Sequence, residues 1–117
     1  MSDAVIVAAV RSAIGKKKGS LAATHTDDLL ALILKSLVER AKIDPAQVED
    51  VISGCVTQIG EQGFNVSRTA ALMAGFPVET TGTTVNRQCG SSQQALHFAA
   101  QAVLAGAMDV VIAGGVE

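Results

Sequence analysis

The segment Thr84-Val85-Asn86-Arg87-Gln88-Cys89-Gly90-Ser91-Ser92 sets a thiol where a β-type run gives way to a helical one. Unpaired backbone N–H groups and the helix dipole at such a junction stabilise an anion, so a cysteine there gains thiolate character and nucleophilicity. Gly90 permits close approach of another group to the backbone, and the Cys89 N–H points where an oxyanion could form. Two readings of Cys89 are open on local pattern alone: a nucleophile, or a small buried residue at a helix start. Neither histidine supplies a base. His97 is eight residues further along the same helix, about 12 Å of rise away, and His25 falls in a polar stretch before another helix and reads as solvated. No metal-ligand set and no cofactor-binding motif is present.

Other chemically suggestive residues read more simply. Cys55, after Gly54 at a strand end, reads as a buried structural thiol. Lys16-Lys17-Lys18 lies between Gly15 and Gly19 without the Gly-Lys-Ser/Thr ending of a P-loop and reads as a solvated basic loop. Arg87 reads as an interface or structural cation. Gly114-Gly115 makes no dinucleotide fingerprint and reads as a turn ending a strand.

The elements that must hold Cys89 follow from apolar patterning. Residues 4–10, 49–56, 82–86 and 109–113 are rich in Val, Ile and Thr without alternation, which predicts strands buried on both faces. Helices are predicted over 27–42, 65–75 and 90–107. The first carries Leu29, Leu30, Ile33, Leu34, Leu37, Val38 and Ala41 on one stripe. Thr24 with Asp27 forms a plausible capping box, Asp44-Pro45 stops that helix, Asn65 caps the second, and Gly75-Phe76-Pro77 ends it. The resulting β-α-β-α-β-α-β order predicts an α/β domain over 1–117, a mostly parallel sheet with covering helices and active groups at the carboxyl ends of strands. The third helix is apolar around nearly its whole circumference, which predicts burial between two layers. The chain stops at Gly114-Gly115-Val116-Glu117 without the helix expected to follow a fourth strand, as a portion of a larger protein would.

Composition bounds the function. The 117 residues carry 9 Lys+Arg against 11 Asp+Glu, are 49% hydrophobic and only 17% charged. The balance argues against a nucleic-acid binder, and the apolar content describes a chain that folds. No stretch is long and apolar enough to span a bilayer. Met1-Ser2-Asp3 carries an acid where a signal peptide carries basic residues, so a cytoplasmic location with Cys55 and Cys89 reduced is expected.

The chain resembles the amino-terminal portion of the thiolase family, acetyl-CoA acetyltransferases and 3-ketoacyl-CoA thiolases. The resemblance runs through Val10-Arg11-Ser12-Ala13-Ile14-Gly15, Gly19-Ser20-Leu21, Asn65-Val66-Ser67-Arg68, the segment Val85 to Ser92, and Ala113-Gly114-Gly115-Val116-Glu117. It departs at Ser12-Ala13, where the family has Thr-Pro, and at Gln93. It implies a layered α-β-α-β-α fold of which this chain is the amino-terminal half. It also implies a ping-pong transfer, in thiolysis or Claisen condensation, between acetyl-CoA or a 3-ketoacyl-CoA and coenzyme A. Cys89 would hold the acyl group as a thioester, its N–H in the oxyanion hole, with no tightly bound cofactor and no metal. The acid/base histidine of a Gly-His-Pro motif, the cysteine of a Cys-x-Gly motif and the coenzyme A loop domain are absent from these 117 residues, so alone they are expected to be inactive. Thiolases are homodimers or homotetramers, and residues 83–87 resemble the strand that pairs across the dimer two-fold. A related condensing enzyme, or a non-catalytic thiolase-fold module, is the alternative.

Overall fold

A computed structural model describes residues 3–117; Met1 and Ser2, part of the amino-terminal reading above, lie outside them. Three helices and three strands alternate: α1 (Thr26–Ala41), β1 (Asp50–Gly54), α2 (Val66–Met73), β2 (Thr81–Val85), α3 (Ser91–Leu104) and β3 (Val111–Gly115). The strands form one parallel sheet in the order β2-β1-β3. The chain reverses its direction across the sheet after β2. Right-handed crossovers then require α2 and α3 on opposite faces. Residue alternation places them so: Val51, Cys55 and Ile112 pack with α1 and α2, whereas Ile52 packs with Ala95 and Ala99 of α3.

The helix periodicity holds. Leu30, Leu34 and Val38 of the predicted stripe are buried, with Leu29, Ile33 and Leu37 half-buried beside them. The predicted caps hold in part. Asn65 does cap α2, its Oδ1 accepting from the Arg68 N–H at 3.3 Å while Nδ2 donates to the Gly82 carbonyl at 2.7 Å. Thr24 and Asp27 form no capping box. The N-cap is His25 without a side-chain bond, and the orphan Thr26 N–H donates instead to Glu61, 35 residues away. Asp44-Pro45 does not stop α1, which ends at Lys42 in the left-handed conformation; it opens a separate single turn.

Three predictions about strands and layers are corrected. Residues 4–10 form no strand, and among the described residues the sheet has three strands rather than four. An apolar run becomes a strand only when a neighbour takes its backbone groups. None of the described strands does so, and Val5, Ile6 and Val7 are about three-quarters exposed. Burial on both faces holds for the central β1, every residue of which is buried, but not for the outer strands β2 and β3. Helix α3 is covered on one face only. Ser91, Ala95 and Ala99 are buried against the sheet, while Leu96, Phe98 and Leu104 are exposed, because no second layer lies over them among the described residues.

Candidate active site

The carboxyl ends of all three parallel strands converge on one cleft of about 450 Å³. Gly54, Cys55 and Val56 contribute from the end of β1, Gln88 and Cys89 from the loop after β2, and Gly115, Val116 and Glu117 from the end of β3; Ser91 and Ser92 of α3 complete it. An open parallel sheet offers ligands this position because helix amino termini and strand ends meet there. The cleft brings the predicted nucleophile to the expected end of the sheet.

Cys89 is exposed and sits one residue before Gly90, the N-cap of α3. Its loop is closed by short local bonds. The Gly90 N–H donates to the Arg87 carbonyl at 3.0 Å and the Ser91 N–H to the Gln88 carbonyl at 3.1 Å. The buried Ser91 hydroxyl accepts from the Arg87 N–H at 2.9 Å and donates to the Gln88 carbonyl at 2.6 Å. Gln88 takes φ 51°, a left-handed conformation that costs a non-glycine residue about 1 kcal/mol or more and persists only where its surroundings enforce it. The Cys89 N–H has no acceptor among the described residues. A free N–H beside an exposed thiol at a helix head can receive a developing oxyanion.

The close seating of α3 depends on two glycines whose part the sequence reading missed. A Cβ on Gly54 would stand 2.4 Å from the Ser92 nitrogen, and one on Gly115 would stand 1.9 Å from the Ser92 hydroxyl oxygen. Gly114-Gly115 is thus the end of β3, with Gly115 the point where α3 touches the sheet, and not a turn after the strand.

Glu117, also unassigned from sequence, bridges two strand ends. Its carboxylate accepts from the Val56 N–H at 2.8 Å and the Thr57 N–H at 3.0 Å. Bonds from Thr57, then Val56, hold its pKa below the usual carboxylate range. Cys55 is buried as predicted, 1% exposed, and burial, with the Glu117 charge second, pushes its thiol pKa up. The Cys89 and Cys55 thiols therefore occupy opposite environments at one cleft.

The remaining candidates lie elsewhere. His97 is on the exposed side of α3, against a groove along β3 and not at the cleft. His25 is 62% exposed, its Nδ1 3.3 Å from Asp27 and 3.4 Å from Glu61. Lys16 to Lys18 form an exposed turn, closed by the Gly19 N–H on the Lys16 carbonyl. Arg87 reaches Gln94 one turn into α3. No helix among the described residues is long and apolar enough to cross a membrane.

Comparison with known proteins agrees with this geometry. Residues 4–117 match the family model described as the N-terminal domain of thiolase. Over 117 residues the chain is 53% identical to a Mycobacterium tuberculosis protein named steroid 3-ketoacyl-CoA thiolase FadA6, covering all of this chain and 29% of that one. Over 119 residues it is 49% identical to a 3-ketoacyl-CoA thiolase of Idiomarina loihiensis, covering all of this chain and 31% of that protein. The crystal structure of Bacillus anthracis acetyl-CoA acetyltransferase superposes with a TM-score of 0.90 at 43% identity, over 95% of this chain and 28% of that one. The chain thus spans about 30% of the length of the relatives it matches. Match, identity and superposition agree that the chain belongs to the thiolase family and has the α/β fold of that family's N-terminal domain.

Proposed function

We propose that these 117 residues are the amino-terminal α/β domain of a thiolase and carry its nucleophile, Cys89. The observation that supports this is the placement of an exposed thiol and a free N–H at the head of α3, in a cleft where three parallel strands end. The thiolate attacks the carbonyl of an acyl-CoA or 3-ketoacyl-CoA, and the Cys89 N–H receives the oxyanion. The leaving thiolate or enolate departs, and the acyl group stays on Cys89 as a thioester. In thiolysis coenzyme A then takes the acyl group; in condensation the carbanion of a second acetyl-CoA does. The groups that protonate the leaving group and activate coenzyme A come from outside these residues, so this domain alone does not turn over. The substrates are acyl-CoA and coenzyme A, with no tightly bound cofactor.

The same reading makes the protein a homodimer or homotetramer of the cytoplasm. Its support is the position of β2 at the edge of the sheet, where one side of the strand has no neighbouring strand among the described residues and can pair with a second copy.

The test is the intact mass of the protein carrying this sequence, before and after incubation with acetoacetyl-CoA. One acetyl group is expected, mapping by peptide mass spectrometry to Cys89 and absent from Cys89→Ser, whose turnover falls roughly a thousandfold or more. An adduct on Cys55, or one that survives Cys89→Ser, would sink the assignment.

A further inference from the structure

Asn86 joins the Cys89 loop to the rest of the cleft. It is the first residue after β2, and its amide uses both ends. Its Oδ1 accepts from the Gln88 N–H at 3.0 Å, closing a turn over Arg87 and helping to enforce the left-handed φ of Gln88. Its Nδ2 donates to the Val56 carbonyl at 3.2 Å. Every other side-chain hydrogen bond of residues 86–89 among the described residues stays within the loop or reaches α3. The Val56 peptide is held from its other side, because its N–H donates to Glu117, which also takes the Thr57 N–H. Glu117 in turn follows β3, whose end is tied to β1 by the Val116 N–H on the Gly54 carbonyl at 3.1 Å. A continuous path therefore runs from the end of β3 through Glu117, the Val56 peptide and Asn86 to Gln88, the residue before Cys89.

We propose that Asn86 and Glu117 are positioning residues for the Cys89 thiol, Asn86 fixing the Gln88 turn and Glu117 fixing the Val56 peptide on which Asn86 is anchored. The inference rests on the nucleophile reading above. The exposed loop needs such an anchor because Gln88 occupies an unfavourable backbone region and no apolar side chain of the loop is buried to hold it. With the anchor cut, the loop relaxes and the thiol leaves its place at the head of α3. A misplacement of about 1 Å costs up to about a hundredfold in rate. Binding of acyl-CoA, which does not depend on the direction of the thiol, changes little.

The experiment measures single-turnover acylation of Cys89 in the protein carrying this sequence, with Cys55 as an internal monitor of folding. Asn86→Ala is expected to lower the acylation rate at saturating acyl-CoA about tenfold or more, with the half-saturating concentration within about twofold. Glu117→Gln, which keeps one of the two acceptor atoms, falls between it and the parent. In Asn86→Ala Cys55 stays as protected from iodoacetamide as in the parent; in Glu117→Gln, where the charge that pushes the Cys55 pKa up is gone, folding is read from the urea midpoint, which stays close to the parent's. A parent-like rate in Asn86→Ala with Cys55 protected overturns the proposal. If Asn86→Ala exposes Cys55, Glu117→Gln decides, and a parent-like rate there overturns it equally. If the parent's Cys89 accepts no acyl group, the nucleophile reading fails by itself. The anchor is then judged by the iodoacetamide rate of Cys89 relative to Cys55, and a ratio unchanged by Asn86→Ala overturns it.

Discussion

Cys55 and Cys89 line one cleft, yet their surroundings give them different chemistry. Cys89 is exposed before a helix head, whereas Cys55 is 1% exposed, packed with the α1 and α2 core, and pushed toward its neutral form by burial and by Glu117. Iodoacetamide at neutral pH is expected to modify Cys89 at least about a hundredfold faster than Cys55, read by peptide mass spectrometry. Cys55→Ala removes only a sulfur from the core, so it should cost about 1 kcal/mol in denaturant unfolding and leave acylation of Cys89 intact. Comparable alkylation of the two thiols would mean that the cleft is open to the core. The placement of Cys89 before a helix head was legible in the sequence because its signal is local: a strand, a Cys-Gly pair and a helix in succession. Glu117 was not legible, since its partners Val56 and Thr57 lie about 60 residues away and only the parallel register of β1 and β3 brings them together.

At the scale of elements, two contacts between distant segments set the geometry. The first is the seat of α3 on the sheet. Gly54→Ala would drive a Cβ into the backbone of Ser91 and Ser92, which cannot move without shifting the helix head, so a loss of about 2–3 kcal/mol is expected. Gly114→Ala meets nothing within 4 Å and should stay within about 0.5 kcal/mol of the parent. Equal costs at the two positions, by urea unfolding, would contradict this seat. The second contact is Glu61, which takes the Thr26 hydroxyl at 2.6 Å and the Thr26 N–H at 3.1 Å and so completes the start of α1, with the His25 imidazole alongside. The Thr26 bonds lower its pKa from the ordinary value near 4.5. A carboxyl whose folded pKa is depressed adds stability that is present above its unfolded pKa and lost as pH falls through the folded one. Glu61→Gln should therefore lower the melting temperature at pH 7, and the difference should close as the pH falls below 4.5. A difference independent of pH would remove the carboxylate from the account.

The whole molecule is defined as much by what its sheet leaves open as by what it closes. A groove of about 1330 Å³ lies at β3, lined by the 3–17 segment, α1, α3 and β3. Ser53, buried beside it, has a hydroxyl without a partner among the described residues. Val5, Ile6 and Leu96 of its lining are exposed, as are Phe98 and Leu104 of α3. Surface of this kind associates in water. The 117-residue chain made by itself is expected to self-associate or aggregate in sedimentation velocity, and a monodisperse monomer would contradict this.

The sequence alone determined the features that depend on neighbours along the chain. Helical periodicity gave α1 its buried stripe, Asn65 marked the start of α2, three of the four predicted strands formed, and the Cys89 segment marked both the family and the candidate nucleophile. Tertiary structure decided whatever depends on a partner distant in sequence. Residues 4–10 have the composition of a strand, but a strand needs a neighbour for its backbone groups, and none is present among the described residues. Helix α3 has the composition of a fully buried helix, but burial needs a second layer. Glu61 replaced the predicted local cap because a carboxylate 35 residues away could satisfy both the N–H and the hydroxyl of Thr26. Periodicity and capping act over a few residues, whereas pairing, layering and the anchoring of the Cys89 loop are relations in space that exist only once the sheet has formed.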